Sequence, residues 1–280
     1  MNTLRERVGF GVLGAAAISV VLAGLALFVF LFFEGGEVLS LDFVFDIPRE
    51  GMTEGGVLPA IVGTALVTLV TGVCSIPLGV GAALYLHEYA PVGFTTRLIR
   101  LSIRNLSGVP SIVYGLFGVA LFVHGMGIGL SVLASGLTLG LLTLPWTITA
   151  SEEALRTVPA HQRAGALALG ATKWEAIRTV VLPAATPGII TGAILGLARA
   201  AGETAPILFT GVTFFQPETP TSLFDQFMAL PYHLYILATQ HHDIERVRPI
   251  AYGTALLLLL LVALFTSAAA LLRIRLRQSA

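Results

Sequence analysis

Long apolar runs separated by short polar segments dominate the chain. Runs long enough to cross the roughly 30 Å hydrocarbon core of a bilayer cover residues 9–33, 57–86, 109–130, 131–150, 184–213 and 250–272. The pattern predicts six transmembrane helices. Only a Gly-rich turn separates the third run from the fourth, so these two should form a helical hairpin. The first run exceeds the roughly 7 to 15 residues of a signal-peptide core, and no small-residue cleavage site follows it, so we interpret it as a span.

Composition supports a membrane environment. Hydrophobic residues make up 55% of the 280 residues and charged residues only 11%, whereas soluble domains are about 25% charged. The single cysteine, Cys74, cannot form an internal disulfide, and we interpret it as a small apolar residue in a helix.

Basic residues set the orientation. With the N-terminus inside, three arginines lie outside (Arg49, Arg246 and Arg248), Arg199 is intramembrane, and the other 12 of the 16 basic residues are cytoplasmic. This distribution satisfies the positive-inside rule and predicts that both termini are cytoplasmic. Ten of the 16 acids lie outside by the same assignment. An acidic outer surface would repel a free anion, which suggests that such a substrate arrives bound to another protein.

Two connections are long enough to do more than turn the chain. In the inner segment 151–179, Pro159 suits a first helical turn and Gly170 suits a helix end. This segment is predicted as a short helix, a break and a second amphipathic helix that leads into the fifth span. The outer segment 214–249 is either a helix lying at the membrane interface, with Tyr232 and Tyr235 at headgroup depth, or a loop packed over the bundle.

The chain shows no internal repeat, so we predict one membrane domain. Its core is residues 57–280, and a helix with an acidic outer loop, residues 1–56, precedes the core. The first helix is expected to stand apart from the other five.

Common catalytic motifs are absent from the sequence. It has no G-x-x-x-x-G-K-[S/T] phosphate loop, no G-x-S-x-G elbow and no H-E-x-x-H helix, so energy from ATP would have to come from a partner chain. The adjacent His241, His242 and Asp243 are interpreted as a solvated polar loop, and no metal site is predicted. His87 and Glu88 are interpreted as a cap at the inner end of the second span.

Two charges interrupt the fifth apolar run. Arg199 and Glu203 are four residues apart and can pair on one helix, and Arg199 should lie near the membrane midplane. A charge facing lipid there would cost at least about 2.5 kcal/mol, so both side chains should face protein or a water-filled path. An ion pair that only holds two helices together is the alternative. Small residues recur on the same face at every fourth position, a pattern that allows close helix packing: Gly188, Gly192 and Gly196.

The inner segment carries a recognisable pattern. Permeases of type I ABC importers have E-A-A, three residues, G, nine residues and I-x-L-P, and the segment AGALALGATKWEAIRTVVLP resembles this in register. The matching positions are Ala164, Gly165, Ala166, Gly170, Val180, Leu182 and Pro183. The resemblance implies a coupling helix that docks in a groove of an ATPase subunit. Ala164 stands where the family has Glu, so the polar contact of that Glu must be absent or supplied by a residue such as Arg163 or Gln162.

More of the chain, from about residue 57 to the end, is similar to the PstA-type permeases of phosphate-specific ABC transporters. The similarity is carried by IPLGVGAALYLHEYAP, NLSGVPSIVYGLFGVALFV and GLARAAGETAPILFTG. It implies an all-α six-helix bundle in a bacterial or archaeal plasma membrane. The implied partners are a PstC-like sister permease, PstB-like ATPases that bind ATP and Mg, and a PstS-like phosphate-binding protein outside. It also implies that Arg199 and Glu203 match charged residues of the translocation path, while this chain itself is not an enzyme and binds no cofactor.

Three alternatives remain open at this point. The cargo could be another oxyanion such as sulfate or molybdate. The chain could be a secondary transporter or channel driven by an ion gradient, which would leave the coupling segment unexplained. It could also be a membrane scaffold, for which Arg199 and Glu203 would be dispensable.

Overall fold

The computed structural model describes residues 3–278 and is mostly helical. Within that range, five helices are long and apolar enough to cross a membrane: Val8–Gly35, Leu58–Tyr89, Val132–Arg156, Lys173–Ala201 and Ile244–Arg275. A further pair, Phe94–Leu106 and Ser111–Gly125, passes the same test together but is bent by 98°. The predicted all-α membrane architecture is therefore confirmed, with six spans if the bent pair counts as one.

The helices are connected by segments of different length. They are α1 (Thr3–Gly35), α2 (Leu41–Phe45), α3 (Leu58–Leu84), α4 (Phe94–Leu106), α5 (Ser111–Gly118), α6 (Val132–Arg156), α7 (Ala160–Ala168), α8 (Lys173–Ala176), α9 (Leu182–Ala201), α10 (Ala205–Leu208), α11 (Leu230–Thr239) and α12 (Ile244–Gln278). The longest connection, residues 209–229, joins α10 to α11. Wider π-helical turns extend α3 over Tyr85–Tyr89, extend α5 over Val119–Gly125 and join α8 to α9 over Ile177–Val181. Strands β1 (Pro48–Arg49) and β2 (Glu54–Gly55) pair antiparallel before α3 across a 3₁₀ turn, Glu50–Met52.

The third span differs from its prediction. The helical part, Ser111–Gly125, has 15 residues and is about 22 Å long, which is shorter than the apolar run suggested. The chain bends before it because Pro110 has no amide hydrogen and disfavours helical backbone at Val109. The hairpin with the next span is present, since a Cβ at Gly118 would lie 2.1 Å from the hydroxyl oxygen of Thr138 on α6.

The fifth span also differs, at both ends. It begins early, at Lys173, because Thr172 and Glu175 form a capping box. It ends at Ala201, twelve residues before the predicted boundary, and Pro206 then opens the separate short helix α10. The predicted span continued past this break because the residues on both sides of it are apolar.

Helices α3, α6 and α9 form the centre of the bundle. Small residues bring them together: a Cβ at Gly136 on α6 would lie 2.4 Å from a methyl carbon of Val70 on α3. The hydroxyl of Thr71 also donates to the carbonyl of Gly136 across this contact, at 3.2 Å.

The N-terminal helix exposes most of its apolar surface. It contacts α12 near its outer end, where a Cβ at Gly35 would lie 2.5 Å from the carbonyl carbon of Tyr252. In the segment that follows, Phe43 on α2 and Met52 in the 3₁₀ turn are buried in a core shared with α11 and α12. The proposed division at residue 56 stays a prediction.

The outer segment combines both alternatives left open by the sequence. It forms a helix, α11, but this helix packs into the bundle through buried Leu230, Ile236 and Leu237. Tyr235 on its outer side is 41% exposed. His233 is fully buried, and burial lowers its pKa to about 4, so it is uncharged at neutral pH.

The polar loop interpretation of His241 is wrong. Its side chain is buried, Nδ1 accepts from the Asp243 amide at 3.1 Å, and Nε2 lies 2.9 Å from the carbonyl oxygen of Gly51. His241 therefore ties the start of α12 to the outer loop. Among residues 3–278, no group of three His, Cys, Asp or Glu side chains is arranged to hold a metal ion.

Candidate functional site

A cavity of about 220 Å³, whose wall includes charged and hydroxyl side chains, lies beside the middle of α6. Thr143, one of its wall residues, is the twelfth of the 25 residues of α6. The wall comes from α4, α5, α6, α9 and the adjoining turns, and consists of Leu106, Ser107, Val109, Pro110, Ser111, Leu142, Thr143, Trp146, Gly196, Arg199, Ala200 and Glu203. The two charged residues predicted for the fifth span therefore both line this cavity.

Arg199 and Glu203 form a loose pair. Arg199 lies in the last turn of α9, and Glu203 lies beyond the end of that helix. The sequence had predicted both residues on one helix. Nε of Arg199 is 3.6 Å from Oε1 of Glu203, and the Arg199 side chain is 61% exposed. A hydrogen bond of normal length is about 2.7 to 3.2 Å, so the guanidinium keeps most of its donors available for a ligand.

Two interrupted helices meet at the cavity. Helix α9 ends there, and α5 begins there at Ser111, directly after the bend at Pro110. The first amides of a helix have no carbonyl of a preceding turn to donate to and carry a partial positive charge. The start of α5 and the guanidinium of Arg199 thus give one cavity two features that attract an anion. Discontinuous helices of this kind form substrate sites in many transporters.

The glycine stripe of α9 packs against a matching row on α6. A Cβ at Gly188, Gly192 or Gly196 would lie 2.8, 2.6 or 2.9 Å from the side chain of Ala154, Ala150 or Trp146, respectively. Both rows have four-residue spacing, and they run antiparallel. Nε1 of Trp146 also donates to the carbonyl of Gly192 at 3.3 Å. The stripe thereby fixes the level at which Arg199 meets the middle of α6.

The predicted coupling residues lie on an exposed inner segment. Helix α7 carries Ala164, Gly165 and Ala166, has no buried residue, and ends before Gly170, whose φ of +89° suits glycine. Leu182 and Pro183 form the first turn of α9. Large apolar side chains around the break are left exposed: Leu167 at 44%, Leu169 at 91% and Trp174 at 52%. The segment therefore offers a partner an apolar, small-residue surface.

Sequence reasoning missed the buried contacts of Glu88. Its carboxylate is only 2% exposed, and its Oε1 lies 2.5 Å from Nη2 of Arg163 on α7. Lys173 donates to the backbone carbonyl oxygen of Glu88 at 2.5 Å and lies over the ring of Tyr89. The interpretation of Glu88 as an interfacial cap is therefore wrong. An acid at the end of a span was a visible signal, but no local pattern pairs residues 75 positions apart.

Comparison with known proteins identifies relatives. Residues 75–278 match the family model described as the binding-protein-dependent transport system inner membrane component. The chain is 34% identical over 279 residues to the probable ABC transporter permease protein YqgI of Bacillus subtilis, covering 95% of this chain and 94% of that protein. It is 39% identical over 222 residues to the phosphate transport system permease protein PstA 1 of Mycobacterium tuberculosis (strain CDC 1551 / Oshkosh), covering 78% of this chain and 71% of that protein.

A solved structure shares the fold. The structure of a bacterial ABC transporter involved in the import of alginate superposes with a TM-score of 0.66 at 13% identity, over 98% of this chain and 97% of the other. This agreement shows the shared fold, and the family match over most of the chain places it among transport permeases. The chain belongs to the family of inner membrane components of binding-protein-dependent transport systems.

Proposed function

We propose that this chain is the PstA-like permease subunit of an ATP-driven importer of inorganic phosphate. The observation that carries the proposal is the cavity in which Arg199 and the start of α5 face the same space. Relatives named as phosphate transport permeases, 35 to 39% identical, support phosphate as the cargo.

The chemistry of the cavity suits an oxyanion. A guanidinium presents up to five donors in a planar fork that fits phosphate oxygens, and hydroxyls of Ser107, Ser111 and Thr143 line the same wall. Glu203 lies close enough to hold Arg199 when the cavity is empty and too far to occupy it fully. In the proposed mechanism, Arg199 exchanges this loose contact for phosphate as the path changes its access.

Energy is supplied from the inner side. Helix α7, Gly170, Leu182 and Pro183 form the proposed coupling surface, and ATP with Mg is bound by PstB-like partner subunits. The exposed apolar side chains around Gly170 support such docking, since a small-residue helix lies readily in a groove. A PstC-like sister permease would complete the path, and a PstS-like binding protein would deliver phosphate outside the plasma membrane.

Reconstitution tests the proposal. The chain, assembled with its permease partner, ATPase and binding protein in liposomes, should take up labelled phosphate only when ATP and the binding protein are present. Excess sulfate or molybdate should leave this uptake unchanged. Uptake of sulfate or molybdate in preference to phosphate would refute the cargo, and uptake without the ATPase would indicate a secondary transporter.

A further inference from the structure

Both helices of the coupling segment contact Glu88 at the inner end of the second span. Arg163, next to Ala164 on α7, contacts the Glu88 side chain, and Lys173 at the start of α8 contacts the Glu88 carbonyl. Both helices of the coupling segment are thus held to the inner end of α3. The Glu88 side chain is 2% exposed and that of Arg163 is 31% exposed, so water screens this pair little.

A second set of contacts involves Leu86, two residues before Glu88. The guanidinium of Arg100, in the middle of α4, donates to the carbonyl of Leu86 at 2.8 Å. The same Nη2 atom lies 2.9 Å from the Glu152 carboxylate at the inner end of α6, which also binds Arg156 at 3.1 Å. The inner ends of α3 and α6 are therefore joined to α4 through Arg100.

Helix α4 leads from this cluster to the cavity. It ends at Leu106, and both Leu106 and the following Ser107 belong to the cavity wall. Contacts thus run without interruption from α7 through Glu88 and the turn after α3 to Arg100, and along α4 to the cavity. Rigid helices joined by ion pairs can carry coupling between distant sites.

We propose that Glu88 is a positioning residue that transmits movement of the coupling segment, through Arg100 and α4, to the wall of the cavity. The proposal rests on the proposed function, because it takes α7 as the surface that the ATPase moves. Arg163 thereby provides an internal anchor next to Ala164.

The decisive variant is Arg163→Gln in the complete reconstituted importer. Helix α7 buries no residue, so Arg163→Gln opens no cavity in the bundle core, but it leaves the buried Glu88 carboxylate without its arginine. We expect assembly and ATP hydrolysis to continue, while labelled substrate taken up per ATP hydrolysed falls about tenfold. The charge exchange Glu88→Arg with Arg163→Glu should recover much of that ratio, because it restores an opposite-charge pair. Glu153→Gln is the matched control, since Glu153 is 63% exposed and also pairs with one arginine, Arg156.

Each outcome decides between transmission and simple stabilisation. An unchanged ratio of uptake to ATP hydrolysis in assembled Arg163→Gln importer would overturn the proposal, even if less complex assembled. If Glu88→Gln fails to assemble, Arg163→Gln still decides. The ratio is measured with whichever oxyanion the unmodified importer transports, so a wrong cargo would refute the phosphate assignment and leave this test valid.

Discussion

Two arginine–carboxylate pairs in this chain show opposite geometry. At the inner end, Arg163 and Glu88 are 2.5 Å apart and the carboxylate is buried. At the cavity, Arg199 and Glu203 are 3.6 Å apart and the arginine is 61% exposed. Breaking a buried pair leaves an uncompensated charge and is costly, whereas exposed pairs contribute little. The first pair is thus suited to hold two elements together, and the second is suited to open for a ligand.

Removal of Arg199 is expected to give the largest effect. Arg199→Ala takes away the guanidinium donors that would bind an oxyanion, so uptake should fall by about 100-fold or more, equivalent to about 2.7 kcal/mol. Uptake is measured in the reconstituted importer, with assembly followed by co-purification of the subunits. Normal uptake in a fully assembled Arg199→Ala complex would remove Arg199 from the path.

A double-mutant cycle compares the two pairs directly. For Arg163 and Glu88 we expect an interaction free energy of about 2 kcal/mol, because the carboxylate is desolvated. For Arg199 and Glu203 it should stay below about 1 kcal/mol, since the exposed arginine is screened by water. Both are measured by denaturant unfolding in mixed micelles. Equal values for the two pairs would contradict the distinction drawn here.

Shifting α9 should affect the loose pair and spare the buried one. Gly192→Ala places a Cβ 2.6 Å from that of Ala150, so α9 and α6 must separate at a cost of about 1 to 2 kcal/mol. Unfolding and uptake are measured on the same preparations. Gly14→Ala on α1 is the control, because its added methyl group meets no described atom outside the adjoining backbone of its own helix within 4 Å, and the stability of the protein should not fall. Equal destabilisation by the two substitutions would argue against close packing at Gly192.

Glu203→Gln should give the smallest effect. The amide keeps the shape and can still accept from Arg199, so uptake should change by only about threefold, equivalent to about 0.7 kcal/mol. Initial uptake rates over a range of phosphate concentrations measure the change. A loss as large as that of Arg199→Ala would show that Glu203 contributes its charge to the path directly.

Regular patterns in the sequence predicted most of the fold. Apolar runs located the spans, Pro159 and Gly170 located the ends of α7, and the spacing of Gly188, Gly192 and Gly196 identified a packing face. The apolar runs did not place the breaks at Pro110 and Ala201, because a hydropathy pattern records composition and does not register a bend.

The site could be predicted only in part, for a related reason. Charges inside an apolar run are visible in the sequence, and Arg199 and Glu203 were found in this way. Glu88 and Arg163 are separated by 75 positions, and the burial of Glu88 depends on how the inner ends of the helices pack. Tertiary contacts of this kind leave no local periodicity.

Because the chain bends by 98° between α4 and the helix that follows it, α4 can tilt as a separate rigid element. Ser107 lies seven residues after Arg100, roughly 10 Å along the helix axis. If α4 tilts by about 10° around Arg100, Ser107 therefore moves by roughly 2 Å. That displacement exceeds the difference between a made and a broken hydrogen bond. A small rigid tilt of α4 would therefore make or break a hydrogen bond between Ser107 and a ligand in the cavity, while every helix stays intact.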